Sequence, residues 1–401
     1  MSNKVLSFLG TGNYTPICHS FNDKSTDTPH KFIQEAILEL FCGDWNENDS
    51  IIIFLTEKAR SQNWNDRKDE KTNEIIAGLK NELDKLKEDK KCNISIKDID
   101  IKDGKDDDEL WEIFNIIINN IDESDNIIFD ITHAFRSIPM LSLIILNYAK
   151  FIKKIKIDKI VYAAFEAKID DKTAPIFDLT PFVRLFDWTV AIDRFLDTGD
   201  AKRINELGTS ELIPKIAETK GKEGIDISKF IKKLDEFTKA ISTCRGPEIK
   251  GLIDNIKKLT PDAKKESGEL LPLQPLFEKI EQKFDKMSSD DHIQSGLSAV
   301  EWCHDNGLIQ QGFTILRENF VNYVMMKILI KGDLRKKEDR EEAEYLLNTR
   351  DIRICEEMLE IWRNMIDFRN SLNHAGWRKC NPQDFDTALG KYIERAKAIL
   401  I

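Results

Sequence analysis

The sequence predicts an α/β domain built on a doubly wound, Rossmann-like sheet, followed by an all-α half. Three observations predict it. Strand-like apolar runs alternate with amphipathic helical patterns through the first 180 residues. The runs SIIIFL (50–55) and NIIFDI (126–131) are apolar on both faces, as parallel strands covered by helices on each side must be. From Pro181 onward the periodicity is helical, with no internal repeat of fixed period.

Taken in order, strands are expected at 4–9, 50–55, 93–99, 126–131, 159–165 and 175–179. Helices are expected between them at 29–41, 70–90, 108–121 and 137–152. In the helix from Asp108, Leu110, Phe114, Ile117, Ile118 and Ile121 recur at helical spacing. The acidic run 106–109 sits at its positive N-terminal end. The last two strands form a hairpin-like pair and predict an antiparallel extension at one edge of the sheet. In the helical half, PFVRLFDWTVAIDRFL predicts a first element with Phe182, Leu185, Phe186, Thr189, Ile192 and Leu196 as its apolar stripe. Charged helices follow at 227–243 and 247–259. The breaker-rich stretch 264–275 reads as a loop or hinge. Further helices are expected at 293–306, 311–330, 351–374 and 382–399, with Trp302, Phe313, Phe320, Tyr323 and Trp362 as core. Domain boundaries are placed at 1–180, 181–290 and 291–401.

Bulk properties narrow the class. A chain of 401 residues, 41% hydrophobic and 33% charged, reads as globular with room for two or three cores. Its seven cysteines are odd in number and never spaced C-x-x-C, which argues for reduced thiols and against a zinc knuckle. A formal charge of −11 speaks against electrostatic coating of duplex nucleic acid. Met1-Ser2-Asn3-Lys4 leads straight into the first strand, so no secretory leader is expected. The apolar run 138–152 is interrupted by Asn147 and Lys150 and is too short to span a bilayer. A cytoplasmic protein without membrane contact is expected.

Ligands of such sheets bind beyond the carboxyl ends of the strands, at the switch point. Two segments fall there. Gly10, Thr11, Gly12, Asn13 and Tyr14 follow the first strand, offering close backbone approach and polar donors. Thr132, His133, Ala134, Phe135, Arg136 and Ser137 follow the fourth, opening the next helix with a hydroxyl, an imidazole and a guanidinium. GTGNYT lacks a third glycine and a strand-end acid for a ribose, and no Gly-Lys-Ser/Thr is present for a triphosphate. A dinucleotide is therefore not the expected ligand. Cys18 and His19, in the polar stretch beyond the glycines, either line this pocket or are merely exposed loop residues.

The string RNSLNHAG near the C-terminus holds Arg369 and His374 with four residues between them. Ile354, Met358, Ile361, Met365, Phe368 and Leu372 mark the buried stripe of that helix, so Arg369, Asn370 and Asn373 point away from it. His374 ends the helix before Gly376. Arginine and histidine without a carboxylate or thiol beside them suit metal-free RNA cleavage. The 2′-OH is the nucleophile, the guanidinium holds the phosphate and the imidazole carries a proton. Asn370 and Asn373 would orient the phosphate or the ring. The bland alternative is a surface arginine with a histidine favoured by the helix C-terminus. Cys303 and His304 are adjacent and cannot readily share a metal.

FLGTGNY, DITHAFRS and the R-x4-H helix, in that order, resemble the CRISPR-associated two-domain ribonucleases of type III systems. These join an N-terminal CRISPR-associated Rossmann-fold (CARF) sensor to a C-terminal HEPN nuclease. Ala134 departs from the family, which more often has glycine there. The resemblance implies a cyclic oligoadenylate bound across a two-fold dimer of sensor domains; cyclic tetra-adenylate fits that symmetry and cyclic hexa-adenylate fits as well. It also implies cleavage of single-stranded RNA in a dimeric HEPN domain, with no metal cofactor, in a homodimer or higher oligomer. Two other readings stand beside it: a non-enzymatic sensor whose helical half is a dimerisation or partner module, and a sensor domain that also degrades its own ligand.

Overall fold

The computed structural model describes residues 2–68, 73–133, 138–270, 272–287, 290–374, 377 and 384–400. Two compact units divide the chain after Arg184.

In the first unit the elements run β1 (Asn3–Leu9), β2 (Cys18–Phe21), β3 (Lys24–Ser25), α1 (Ile33–Phe41), β4 (Ser50–Leu55) and a short α2 (Glu57–Ala59). A π-helical turn (Arg60–Trp64), β5 (Arg67–Lys68), β6 (Ile75–Ile76), α3 (Leu79–Lys90), β7 (Ser95–Asp100) and α4 (Asp107–Asn119) follow. The unit continues with β8 (Asn126–Asp130), α5 (Ile138–Lys153), β9 (Lys156–Ala163) and β10 (Thr173–Asp178). The sheet has eight strands in the order β3-β2-β10-β9-β8-β1-β4-β7. Strands β9, β8, β1, β4 and β7 are parallel. β10 runs antiparallel to β9, the edge extension expected from the sequence. Every residue of β4 is buried, whereas β7, at the edge, carries exposed Lys97, Asp98 and Asp100.

Alternation along the central strands sorts side chains into two cores. Val5, Ile51, Ile53 and Ile128 join Ile33, Ala36 and Ile37 of α1 and Leu79 and Leu83 of α3. Leu6, Phe8, Ile52 and Phe129 join Ile113 and Ile117 of α4 and Ile145 and Leu146 of α5. Chain order reverses between β1 and β8: from β1 the sheet grows through β4 to β7, and from β8 through β9. That makes the carboxyl ends of these two neighbours the switch point.

Several expectations are corrected. The helix expected over 70–90 begins only at Leu79, because the chain first makes β6 and then passes through Gly78, where a Cβ would overlap the Trp64 carbonyl. Cys18 and His19 lie on β2, a strand unforeseen because its pairing partner β10 is some 150 residues distant in the chain. The outer face of α5 leaves Met140, Ile144, Tyr148 and Phe151 exposed, an uncovered apolar row at helical spacing.

The helical half runs α6 (Thr180–Thr198), α7 (Lys202–Glu218), α8 (Ile225–Ser242), α9 (Gly246–Leu270) and α10 (Gln274–Asp285). It continues with α11 (His292–Asp305), α12 (Ile309–Tyr323) with a π-helical turn (Val324–Ile328), α13 (Lys337–Thr349), α14 (Glu356–Asn373) and α15 (Asp384–Leu400). One core extends from Trp188 to Leu400 and takes in Trp302, Phe313, Phe320 and Trp362, with Tyr323 half-buried against it. The stripe of α6 is rotated from the expected one. Trp188, Ala191, Ile192 and Phe195 are buried, while Phe182 and Phe186 are exposed. Trp188 can enter the core because its indole N–H donates to Glu211 of α7 at 2.9 Å. α7 itself, with Gly208 and Pro214 inside it, and the charge-rich α13 lacked a periodic signal in the sequence.

The stretch expected to break at 264–275 is helical to Leu270, and the break between α9 and α10 falls at its far end, before Gln274. Tertiary contact overrides the local breakers. Ala263 and Ser267 are buried, and the Glu266 carboxylate accepts from the backbone N–H groups of Gly224, Asp226 and Ile227 at 2.6, 2.9 and 2.9 Å. Glu266 thus caps α8, whose own N-cap is a glycine. Replacing Glu266 by alanine is expected to lower stability by about 1–2 kcal/mol. Urea unfolding checks this, and an unchanged midpoint would show that water replaces the carboxylate without loss.

Candidate ligand and catalytic sites

At the switch point β1 and β8 pair so that Ser7 lies opposite Asp130. Asp130 is fully buried and accepts from the Ser7 hydroxyl at 2.6 Å, the Thr132 hydroxyl at 2.5 Å and the Thr132 N–H at 2.9 Å. The Thr132 hydroxyl also accepts from the Ala163 N–H at 2.9 Å, which ties the strand end to β9. Gln34 of α1 donates to Ser7 Oγ at 2.9 Å and to the Phe8 carbonyl at 3.0 Å. A polar chain inside the sheet therefore fixes the exits of both strands. Thr132 is held inward by it, and its hydroxyl is engaged on both sides.

The loop after β1 is cradled from the neighbouring strand. Asn63, buried in the π-helical turn after β4, donates its amide to the carbonyls of Gly10 and Gly12 at 3.0 and 2.9 Å. Tyr14 folds back so that its ring lies 4.6 Å from that of His133 and 5.6 Å from that of Phe32. A Cβ on Gly10 would overlap the Tyr14 hydroxyl and stand 3.2 Å from His133 Cβ. Glycine is required at residue 10 by space, since neither Gly10 nor Gly12 has a positive φ. Thr11 is half-buried at the rim, and Gly12 and Asn13 are exposed. The structure thus brings together Gly10, Gly12, Tyr14 and His133. Ala134, Phe135, Arg136 and Ser137 lie outside the described residues.

Burial dominates the electrostatics here. Burial raises the Asp130 carboxyl against the pull of its Ser7 and Thr132 hydrogen bonds. Burial lowers His133, opposed by Asp130. Burial also pushes the Tyr14 phenol up to about 12. His19 on β2 is lowered to about 4, by burial first and then by the neighbouring imidazoles of His30 and His133; its Nδ1 is buried with no hydrogen-bond partner among the described residues. Ser7, Gln34 and Asn63 thus support this site beyond the residues anticipated for it, beside Asp130 of the DITHAFRS segment and His19, already a pocket candidate. Of the first three, only Asn63 had a sequence signal, its place beyond the carboxyl end of a central strand.

In the helical unit α14 presents the R-x4-H residues at its C-terminal end. Met358, Ile361 and Met365 are buried, and Phe368 and Leu372 pack against the core. Ile354 is buried just ahead of the helix, which starts at Glu356, later than expected. Phe368 stacks on Phe313 of α12 with ring centroids 5.7 Å apart, which fixes the rotation of the helix. Arg369 is half-buried, and its Nε is enclosed with no hydrogen-bond partner among the described residues. His374 is exposed, and its N–H closes the helix on the Asn370 carbonyl at 3.0 Å. Asn373 is exposed and accepts from the Gln310 amide at 3.3 Å. Trp377, unnoticed in the sequence, donates its N–H to the His374 carbonyl at 3.1 Å and leaves its side chain 91% exposed.

Among the described residues no three His, Cys, Asp or Glu side chains are grouped as a metal site needs. No described helix is long and apolar enough to cross a membrane.

Comparison with known proteins agrees with this division of the chain. Residues 4–166 match the family described as CRISPR system endoribonuclease Csx1, CARF domain. Together with the mixed sheet and its helices, this match supports a CARF-containing, CRISPR-associated protein. Residues 184–293 match the second domain of CRISPR-associated protein MJ1674. The CRISPR-associated protein MJ1674 of Methanocaldococcus jannaschii is 29% identical over 235 residues, which cover 57% of this chain and 33% of the relative. The match thus spans about a third of that protein's length.

Proposed function

We propose that the protein is a cyclic oligoadenylate-activated, metal-independent endoribonuclease of single-stranded RNA in type III CRISPR defence. The observation that carries this reading is one chain holding two sites: a built cradle at the switch point of a CARF-matching sheet, and Arg369 with His374 at the end of α14. The loop Gly10–Tyr14 and the segment beginning at Thr132 and His133 receive the ring, with Arg136 as its phosphate partner. Neutral Tyr14 and His133 offer flat surfaces and hydrogen bonds to an adenine edge. Two-fold pairing of the sensor matches the symmetry of cyclic tetra-adenylate, with cyclic hexa-adenylate as the second candidate.

In the helical half Arg369 holds the scissile phosphate and offsets the charge that grows on its oxygens. One His374 takes the proton of the attacking 2′-OH, and the partner's His374 gives a proton to the leaving 5′-oxygen. The 2′-O–P bond forms as the P–O5′ bond breaks, leaving a 2′,3′-cyclic phosphate and a 5′-hydroxyl. Asn373, held by Gln310, orients the imidazole or the phosphate, with Asn370 beside it. Trp377 supplies an exposed face on which a base can stack. Ligand binding shifts the helical halves toward the cleaving arrangement in proportion to its preference for that state.

Calorimetric titration with each ring tests the sensor half of the proposal. One ring per two chains is expected; no binding of either ring would overturn it. The exposed α5 row supports the homodimer, since Met140, Ile144, Tyr148 and Phe151 form a surface that a second copy would cover. The double substitution Ile144→Glu, Tyr148→Glu is expected to yield a folded monomer in sedimentation. A dimer of unchanged affinity would place the interface elsewhere.

A further inference from the structure

The helical unit contains a cavity of about 1110 Å³ that the two sites above do not use. One wall is a single face of α12, with Thr314, Glu318 and Asn322 at successive turns and Ile315 and Met326 beside them. The segment after the π-helical turn, including Ile330 and Leu334, also lines it, as do Cys244, Gly246 and Pro247 and, on α11, His292 and Gly296. Arg340 of α13 is immobilised there. It donates to Asn322 Oδ1 at 2.8 Å and to the Leu334 carbonyl at 2.9 Å, and it pairs with Glu318. Its charge is thereby balanced, as is that of Lys331 by Asp339 and Glu342, and the lining also carries Asp333 and Arg335, of opposite sign, so charges of neither sign dominate the cavity. What it offers is a mixed lining: apolar Ile315, Met326, Ile330 and Leu334, together with the Asn322 amide, whose oxygen is committed to Arg340, and the Asn319 Oδ1, buried with no hydrogen-bond partner among the described residues. That chemistry suits a planar, uncharged, heteroatom-edged ring.

The cavity is connected to the catalytic end by the same helix face. Gln310, which holds Asn373, lies one turn before Thr314 on α12. At 1.5 Å per residue, Thr314 is about 6 Å and Asn322 about 18 Å from Gln310 along the axis. A single strand whose scissile phosphate sits at Arg369 and His374 would pass this mouth within about one to three nucleotides. We infer that the cavity receives one unstacked base of the RNA substrate and so selects where the strand is cut. This rests on the ribonuclease reading and adds to it a base-reading subsite formed by α12, α13 and the segment joining them.

The test uses ring-activated, full-length protein and a short single-stranded RNA carrying an abasic nucleotide at each position in turn. Gly332 lines the mouth with open space where its Cβ would be and an ordinary φ, so Gly332→Trp blocks entry without disturbing packing. In the wild type one abasic position, set off from the cut by one to three nucleotides, is expected to lower kcat/KM about tenfold, the scale of one base contact. In Gly332→Trp the intact RNA should show the same loss and the abasic position should cost nothing further. Asn322→Ala should give part of it, with thermal melting recorded to confirm the fold. A Gly332→Trp enzyme with wild-type rate and wild-type abasic sensitivity would overturn the inference. The same cycle measured as RNA binding by His374→Ala protein separates the two readings. Coupling seen in binding while the wild type cuts no RNA would keep the subsite and discard the nuclease. Absence of coupling in an active enzyme would do the reverse.

Discussion

His374→Ala and Arg369→Ala are each expected to reduce ring-activated RNA cleavage by about 10²–10⁴-fold, the range in which a positioned proton carrier or charge donor acts. Both residues stand at the end of α14, one exposed and one with an enclosed Nε that has no hydrogen-bond partner among the described residues, and neither contributes to the packed stripe of Met358, Ile361 and Met365. Loss of activity should therefore come without loss of fold. Circular dichroism melting should stay at the wild-type value, and calorimetric ring binding by the sensor should be unchanged. Single-turnover cleavage at saturating ring is the deciding assay. A variant that cuts at the wild-type rate would remove its residue from the site. A variant that is inactive and also unfolded would instead give it a structural role.

The second large effect is expected at Gly10. A methyl group there overlaps the Tyr14 hydroxyl and crowds His133, so Gly10→Ala must push Tyr14 off the imidazole it packs against. Overpacking of this kind typically costs about 1–3 kcal/mol, which, borne by the ring-binding arrangement, would appear as about a 5- to 150-fold loss of ring affinity. The overlap is with the hydroxyl, so adding Tyr14→Phe should restore much of the binding. Gly43→Ala, at a glycine with open space around it, should change nothing. Calorimetry of these variants checks the geometry. Wild-type affinity in Gly10→Ala would mean that the ring does not use the Tyr14–His133 arrangement.

What the sequence disclosed follows from where local and tertiary forces agree. The central strands were legible because β1, β4 and β8 are buried on both faces and leave continuous apolar runs. The start of α4 was legible because Asp106 caps it with its own side chain, accepting from the Glu109 N–H at 2.9 Å. β2 and β3 escaped notice because a four-residue strand and a two-residue strand have no period to read. The false loop at 264–270 was a correct reading of local propensity overruled by Glu266 and by the burial of Ala263 and Ser267. The face of α6 was misjudged because a tryptophan is buried only when its N–H finds a partner, and that partner, Glu211, lies on another helix.

The two sites divide in the same way. Their contacting residues fall at strand and helix ends, which sequence punctuation marks well. The residues that hold those ends in place (Ser7, Gln34, Asn63 and Asp130) are buried polar groups on separate elements. Asp130 stands in the DITHAFRS string, but Ser7, Gln34 and Asn63 are each unremarkable alone. Their role arises only when the switch point brings β1, α1, the turn after β4 and β8 together.

A ring bound at the sensor is expected to turn on cutting by the helical half. Cleavage of end-labelled single-stranded RNA in EDTA, with no ring, with cyclic tetra-adenylate and with cyclic hexa-adenylate, tests it most directly. Cutting is expected to require one of the two rings, to leave 2′,3′-cyclic phosphate ends and to disappear in His374→Ala. Measurable ring binding with no cutting, or cutting indifferent to the ring, would contradict it and favour a sensor whose helices serve as a partner module.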